Sequence, residues 1–407
     1  MGDPSKMQPV SSKARQSPPL DLTSALKADP SFIRGKTIVI TGGASGIGAG
    51  LFTAWAAHGA TIIIGDIDAE RGEELVEYVK EQTGNERLHF VRVDVKDWRS
   101  QLQFFRVAVN LSPSKGIDCV VANAGVNDTK ESVEFESPTL DYMTAKSPPP
   151  PSFSTMSVNL YGVLYTTHLA LYFLARNPGS QTVSPNVDVS NALRDRHLLL
   201  VGSLASLYPI PGQTMYNISK HSILALFRSL RMTAPIKSGV RVNLLCPYFI
   251  DTPIISHLGR ALLTGAALAN KEDAVAAATR FVADPTCIGR ALVVAPRLKV
   301  RSPTDEDGNA LAGAASVPDM GDVYELMSDY EKQQGEGAGE GGSAGDFQER
   351  AVWECYAHDM EDSDLFTRRV LKLSKAATKV RGARGTIKDM AKLVSRPIRR
   401  RFGGEGN

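Results

Sequence analysis

Thr37-Ile38-Val39-Ile40-Thr41-Gly42-Gly43-Ala44-Ser45-Gly46-Ile47-Gly48 is the stretch that decides the fold. Thr37–Thr41 is an unbroken β-branched run, which suits a buried strand. Glycines follow at once, and a helical pattern, Ile47–His58, starts inside them. Such a turn lets the backbone come close to a pyrophosphate, and the helix start offers free N–H groups and a positive dipole. Gly42, Ser45, Gly46, Ile47 and Gly48 are therefore the first candidates for holding a nucleotide. Taken alone, the same turn also fits an ordinary strand-to-helix loop.

Outward from this turn, short apolar runs alternate with helical patterns as far as about Pro296. The runs TIII, CVV and LLLV are continuously apolar, as parallel strands buried on both faces are. Strands alternating with helices imply an α/β fold with a doubly wound parallel sheet. The second strand, Thr61–Gly65, ends at Asp66, eighteen residues after Gly48. A carboxylate there accepts from ribose hydroxyls and repels a 2′-phosphate. No Arg or Lys stands at Ser45 or Ile67 to offset it, so NAD is expected over NADP. Asp94 and Asn123-Ala124-Gly125 follow the third and fourth strands, at the strand ends where open α/β sheets bind ligands. Each of these residues also suits turn chemistry.

The chain has 407 residues, with 46 Lys plus Arg and 44 Asp plus Glu. A net charge of +2 implies no general nucleic-acid surface. Hydrophobic residues at 43% and charged residues at 22% exclude a wholly disordered chain or a fibre. Cys119, Cys246, Cys287 and Cys355 are far apart, and reduced thiols in a cytoplasmic protein are expected. The histidines have no metal-binding spacing, and no metal is expected. The first thirty residues lack the apolar stretch of a signal peptide. Met156–Ala175 is apolar but carries Asn159, Thr166, Thr167 and His168, and reads as a buried amphipathic helix rather than a membrane span.

Four regions follow from the composition. Residues 1–30 form a flexible lead-in rich in Pro and Ser, and 31–300 a single domain. Residues 301–347 form an acidic Gly-rich linker, and 348–407 a tail. Two long loops interrupt the domain: Asp128–Ser154, with prolines at 148–151, and Asn177–Arg196. Both are expected on the surface around the site or on the rim. In the tail, Phe366, Val370, Leu373, Ala377 and Val380 would share one helix face, and thirteen Lys or Arg against one acid lie between Arg368 and Arg401. A basic amphipathic segment suits a membrane surface or an acidic partner; it equally suits a solvated tail or docking on the chain's own acidic segment.

Tyr216 and Lys220 are four apart on one helix face, Ser219 lies between them, and Ser203 follows the strand His197–Gly202. An ammonium near a tyrosine favours the phenolate, so the phenol can act as a base; the spacing alone equally suits a surface pair. Asn159 lies early in a helix, where a buried amide needs partners. In this order and spacing, Thr41–Gly48, Asp66, Asp94, Asn123–Gly125, Asn159, Ser203, Tyr216, Lys220 and Asn243–Thr252 resemble the short-chain dehydrogenase/reductase family over roughly residues 35–300.

The resemblance implies a Rossmann fold and hydride transfer between a nicotinamide cofactor and a secondary alcohol or ketone. Tyr216 would exchange the proton, and Lys220 would lower its pKa and hold the nicotinamide ribose. Ser203 would orient the substrate oxygen, and Asn159 would hold a water that relays protons from Lys220. Thr252 would contact the nicotinamide carboxamide or phosphate. The stretch Ser203–Pro209, Gln213 and Tyr216–His221 is similar to the 15-hydroxyprostaglandin dehydrogenase-like branch, which implies substrate contact at Gln213. Leu204, Leu207, Tyr208, Ile210 and Met215 around it suit a lipophilic or aromatic alcohol, and equally a packed loop. The resemblance also implies a homodimer or tetramer through Trp98–Asn110 and Thr155–Arg176.

There is one departure. Tyr248 follows Cys246-Pro247 where the family has Gly, and it would either narrow the nicotinamide pocket or turn outward. Two alternatives remain at this point. One is an NADPH-dependent ketoreductase of secondary-metabolite biosynthesis; the other is a catalytically weak NAD-binding scaffold or sensor.

Overall fold

The computed structural model describes residues 29–184, 194–301 and 347–357, with short pieces at 8–9, 16–20, 22, 186, 362–363 and parts of 369–379. The elements in chain order are β1 (Thr37–Thr41), α1 (Gly46–Ala57), β2 (Thr61–Asp66), α2 (Ala69–Thr83), β3 (Leu88–Arg92), α3 (Trp98–Leu111), β4 (Cys119–Ala122) and α4 (Thr129–Glu136). Next comes α5, in three continuous pieces: Ser154–Met156, Ser157–Gly162 and Val163–Leu174. Then follow β5 (His197–Val201), α6 (Thr214–Lys237), β6 (Arg241–Pro247), α7 (His257–Leu262), α8 (Lys271–Ala283), β7 (Ala291–Arg301) and β8 (Phe347–Cys355).

The sheet order is β3-β2-β1-β4-β5-β6-β7-β8. Strands β1 to β7 pair in parallel, and β8 runs antiparallel to β7. Strand order therefore reverses between β1 and β4, the switch point at which such sheets bind ligands. The expected doubly wound parallel sheet is what the chain forms.

Alternation along each strand builds two cores. Ile38 and Ile40 of β1 join Leu51, Phe52 and Trp55 of α1 and Phe281 of α8 on one face. Val39 joins Phe104 and Phe105 of α3 and Phe227 of α6 on the other. Each fully buried side chain of this size contributes about 1.5–3 kcal/mol. Asp68, Asp97 and Asp128 cap α2, α3 and α4 by accepting first-turn amides, which fixes where those helices begin.

The structure differs from the sequence reading in four places. The stretch Met156–Ala175 is helical, but Ser157–Gly162 has π geometry. The last parallel strand runs past 300 to Arg301, and Phe347–Cys355, assigned to linker and tail, completes the sheet. Residues 16–20, assigned to a flexible lead-in, are held at the β7–β8 edge: Ser17 N donates to Ile288 O (3.1 Å), and Leu20 N to Glu354 Oε2 (2.6 Å). Composition reads polarity as disorder, whereas long-range partners impose order here. Finally, the described ends of the loop after α5, Asn177 and Asp195, are buried beside Asp118, at the strand starts opposite the site.

The linker from 302 to 346 and most of the basic tail, including Phe366, Ala377 and Val380, lie outside the described residues. Within the tail, Leu371 is buried against Ile236, while Val370 and Leu373 of the expected apolar face are exposed. Among the described residues, no helix is long and apolar enough to cross a membrane.

Candidate active site

The Gly-rich turn sits at the switch point. Gly42 and Gly46 have φ of 66° and 56°, a region that disfavours a side chain. A Cβ on Gly48 would stand 2.2 Å from Gly42 O and 2.7 Å from Asn123 Nδ2. The turn is thus a bare-backbone cradle opening on the first turn of α1. Ser45 precedes that helix and makes no capping bond, so the first amides have no side-chain partner there. Ile47 packs against the core, and Thr252 lies 3.5 Å from where a Gly46 Cβ would stand.

Asn123 laces β4 to β1: its Nδ2 donates to Thr41 O (3.1 Å) and Gly42 O (2.8 Å). Its amide is committed to holding the cradle. Asp66, at the end of β2, accepts from Ala44 N (3.0 Å) and Asp68 N (3.2 Å). Asp94, one strand further out, accepts from Lys96 N (2.9 Å). These residues fit a dinucleotide: a side-chain-free turn for the phosphates, with carboxylates beyond it for hydroxyl and amino groups.

Tyr216 and Lys220 rise from the first turns of α6. Tyr216 is 9% exposed, and the Lys220 Nζ lies 5.7 Å from the centroid of its ring. Burial pushes the Tyr216 phenol up, and the Ser203 hydroxyl offsets only part of that rise. Burial lowers the Lys220 ammonium to about 8, and its Nζ donates to Val201 O (3.2 Å). Ser203 starts the short 3-10 turn Leu204–Ser206, in a reciprocal capping box with Ser206.

Asn159 is nearly inaccessible, at 1% exposure. Its Oδ1 accepts from Val126 N (2.8 Å), while its Nδ2 donates to Val126 O (2.8 Å) and Ser219 Oγ (3.1 Å). Gly125 closes the group: a Cβ there would stand 3.4 Å from Asn159 Oδ1 and 3.6 Å from Lys220 Nζ. The fold thus brings Gly125, Asn159, Ser203, Tyr216 and Lys220 together beside the cradle.

A model of the short chain dehydrogenase family matches residues 36–262. The chain belongs to the short-chain dehydrogenase family. It is accordingly an NAD(P)-dependent oxidoreductase acting on CH–OH groups. It is 35% identical over 277 residues to a 5'-hydroxyaverantin dehydrogenase of Dothistroma septosporum, covering 65% of this chain and 85% of that one. Over 264 residues it is 30% identical to the NAD(+) 15-hydroxyprostaglandin dehydrogenase of Mus musculus, covering 64% and 85%. It is also 31% identical over 264 residues to an NADP-dependent dehydrogenase of Cochliobolus lunatus, covering 63% and 87%.

This short-chain dehydrogenase also carries features the sequence did not reveal. Gln213 stands at the start of α6, with its Oε1 accepting from Asn127 Nδ2 (3.0 Å). Nothing in the sequence singles out Asn127. Of the apolar residues around Gln213, Met215 is buried and Leu207 packs on the core, so these two serve the fold, while Tyr208 is exposed. Tyr248 packs against the α1–α8 core, with its ring edge-on to Phe249 at 5.0 Å. The π segment around Asn159 has no local signal; π turns inside α-helices are frequent at functional sites. Among the described residues, no group of three or more His, Cys, Asp or Glu is placed to hold a metal.

Proposed function

We propose that this short-chain dehydrogenase oxidises a lipophilic or aromatic secondary alcohol, or reduces the matching ketone, with Tyr216 as the acid/base. The single observation that carries this reading is the convergence of Ser203, Tyr216, Lys220 and Asn159 beside the Gly-rich cradle. Gly42, Ser45, Gly46, Ile47, Gly48, Asp66, Asp94, Asn123, Gly125 and Thr252 hold the nicotinamide cofactor, with Asn123 acting through the turn. When bound, the cofactor accepts or returns a hydride at its nicotinamide ring.

In the oxidation direction the substrate hydroxyl lies between Ser203 and Tyr216. Ser203 donates to or accepts from that oxygen and keeps the carbinol carbon in place. Tyr216 Oη takes the hydroxyl proton as the C–H bond breaks, and the carbonyl forms. The Lys220 charge, present below a pKa of about 8, favours the anionic phenol that burial alone would disfavour. A water held by Asn159 would relay the proton from Lys220 outward. Reduction runs the same steps backwards. Gln213 meets the substrate next to the reacting oxygen, and Asn127 orients its amide.

The lipophilic substrate class is supported by exposed Tyr208, five residues past Ser203, and by relatives named for 5'-hydroxyaverantin and 15-hydroxyprostaglandin. Oxidation of phenyl and naphthyl methyl carbinols tests it. Tyr216→Phe is expected to lower kcat about 10²–10⁴-fold while leaving cofactor affinity unchanged. A Phe variant that turns over like the parent removes Tyr216 from the chemistry.

Asp66 supports NAD as the preferred cofactor, since its carboxylate repels a 2′-phosphate. The NADP-dependent relative favours a second reading, an NADPH-dependent ketoreductase of secondary metabolism. Calorimetry decides between them. Tighter NAD binding that Asp66→Ala erodes supports the first; tighter NADP binding in the parent supports the second.

We also infer a cytoplasmic homodimer or tetramer. Exposed Trp98, Tyr161 and Tyr172 on α3 and α5 support pairing, and the four free cysteines support a reducing compartment. Light scattering reads the mass. Co-sedimentation of intact and tail-truncated protein with anionic liposomes tests whether the basic tail binds a membrane surface; equal partitioning removes that idea.

A further inference from the structure

Neither catalytic helix is capped by the residue just before it, and Ser152 Oγ reaches Ser154 N only at 3.3 Å. Phe153 precedes α5 and Gln213 precedes α6, and neither side chain accepts a bond from the helix it begins. First-turn amides need acceptors from somewhere. Consecutive residues of α4 supply them. Glu131 Oε1 accepts from Ser154 N (2.5 Å) and Ser152 Oγ (2.9 Å), and its Oε2 accepts from Thr155 N (3.0 Å). Ser132 Oγ accepts from Met215 N (3.2 Å) at the start of α6. At the other end of α4, Glu136 accepts from the Thr214 hydroxyl.

Glu131 and Ser132 are both buried. Burial raises the Glu131 carboxyl, but the bonds from Thr155, Ser152 and Ser154 outweigh it and hold the group below its ordinary value. The cap is therefore an anion at neutral pH, placed where a helix dipole favours one.

We propose that Glu131 is a positioning residue of this reaction: an anionic cap supplied across the fold that sets where Asn159 stands relative to Tyr216 and Lys220. Glu131 fixes the first turn of α5, and Asn159 follows one turn later, in the π segment. Asn159 then bonds Ser219, which lies between Tyr216 and Lys220 on α6. Ser132 holds α6 at Met215, next to Tyr216. Two neighbouring side chains on one helix thus set the register of both catalytic helices. This assignment rests on the catalytic reading above. Glu131 acts through the start of α5, where its carboxylate is taken up by Ser152, Ser154 and Thr155.

The test uses the full chain with NAD and naphthyl methyl carbinol. Glu131→Gln keeps the shape but offers one acceptor where three donors converge. It is expected to lower kcat about ten- to a hundredfold through misplacement of the relay. The KM values for NAD and carbinol should stay within about twofold of the parent. The pH profile of kcat should shift with it, and the amides of 154–159 and 215–220 should exchange faster. Glu131→Asp should recover part of the loss, and Ser132→Ala should give a smaller one.

A folded Glu131→Gln protein with the parent's kcat and pH profile overturns the proposal. If Glu131→Gln fails to fold, the Asp and Ser132 variants decide on the same readouts. If the parent oxidises no carbinol, the catalytic reading fails, and exchange alone judges the cap: unchanged protection at both helix starts overturns it.

Discussion

Lys220 shows how function sits against stability at a single residue. Its ammonium is buried, and its pKa falls from 10.5 to about 8. A base whose folded value lies below its unfolded value binds fewer protons when folded. Its cost is fully present below pH 8 and is relieved as pH rises toward 10.5. Lys220→Met is therefore expected to abolish turnover and yet raise stability at pH 7 by about 2 kcal/mol, net of the bond lost at Val201. The gain should shrink as the pH of the urea titration rises above 8; a destabilised variant at pH 7 would contradict it. The residue types Tyr216, Lys220 and Ser203 were legible because their spacing is local or follows a strand end. The orientation of Tyr248 was not, because only the neighbouring α1–α8 core decides which way that ring turns.

At the scale of elements, strand ends are tied at both edges of the sheet, for different purposes. At the site edge, Asn123 joins β1 to β4 and shapes the cradle. At the far edge, Asp195 pairs with Lys36 (2.9 Å) before β1 and with Arg241 (2.7 Å) on β6. Burial raises the Asp195 carboxyl, but Arg241 and Lys36 overcome it and hold it well below the usual carboxylate range.

Removing that anion leaves two buried cations. Asp195→Asn should cost about 3–5 kcal/mol in urea unfolding at pH 7. An acid with a lowered folded value stabilises above its unfolded value and loses this as pH falls, so the parent should weaken below about pH 4 and the Asn variant much less. Cofactor affinity should not change, since the pair lies at the opposite edge. The sequence marked the strands but not this network. Lys36, Asp195 and Arg241 are far apart along the chain and look like ordinary surface charges until the sheet order stacks their strand starts.

For the whole molecule, the decisive feature is the closure of the β7 edge. A bare edge strand invites pairing with other chains. Here β8 covers it, and Arg290 bonds both Glu354 (3.2 Å) and the Ser17 backbone, which ties residues 16–20 to β8. Deleting residues 347–407 uncovers β7 and strips Arg290 of its carboxylate. The truncated chain is expected to unfold at lower temperature, by several kcal/mol of lost stability, and to aggregate with rising concentration in light scattering. A truncated chain as stable and monodisperse as the parent would show that β7 needs no cover. β8 was hidden in the sequence because the 45 residues between Arg301 and Phe347 sever it from the alternating pattern.

The sequence by itself determined what depends on near neighbours along the chain. Continuous β-branched runs specify buried parallel strands, glycines specify the bare turn before α1, and the four-residue spacing puts Tyr216 and Lys220 on one face. Those features fix the α/β class, and the resemblance their order carries implies the kind of chemistry. Only the tertiary structure decided what depends on residues distant in the chain. It placed Glu131 under the start of α5 and Asn127 against Gln213. It set Asn159 in a π turn clasped by Val126, laid β8 along β7, and tied residues 16–20 beside them. The physical reason is the same throughout. Propensity and periodicity act within a turn or a strand, whereas caps, buried charges and sheet edges find their partners only after the chain has folded.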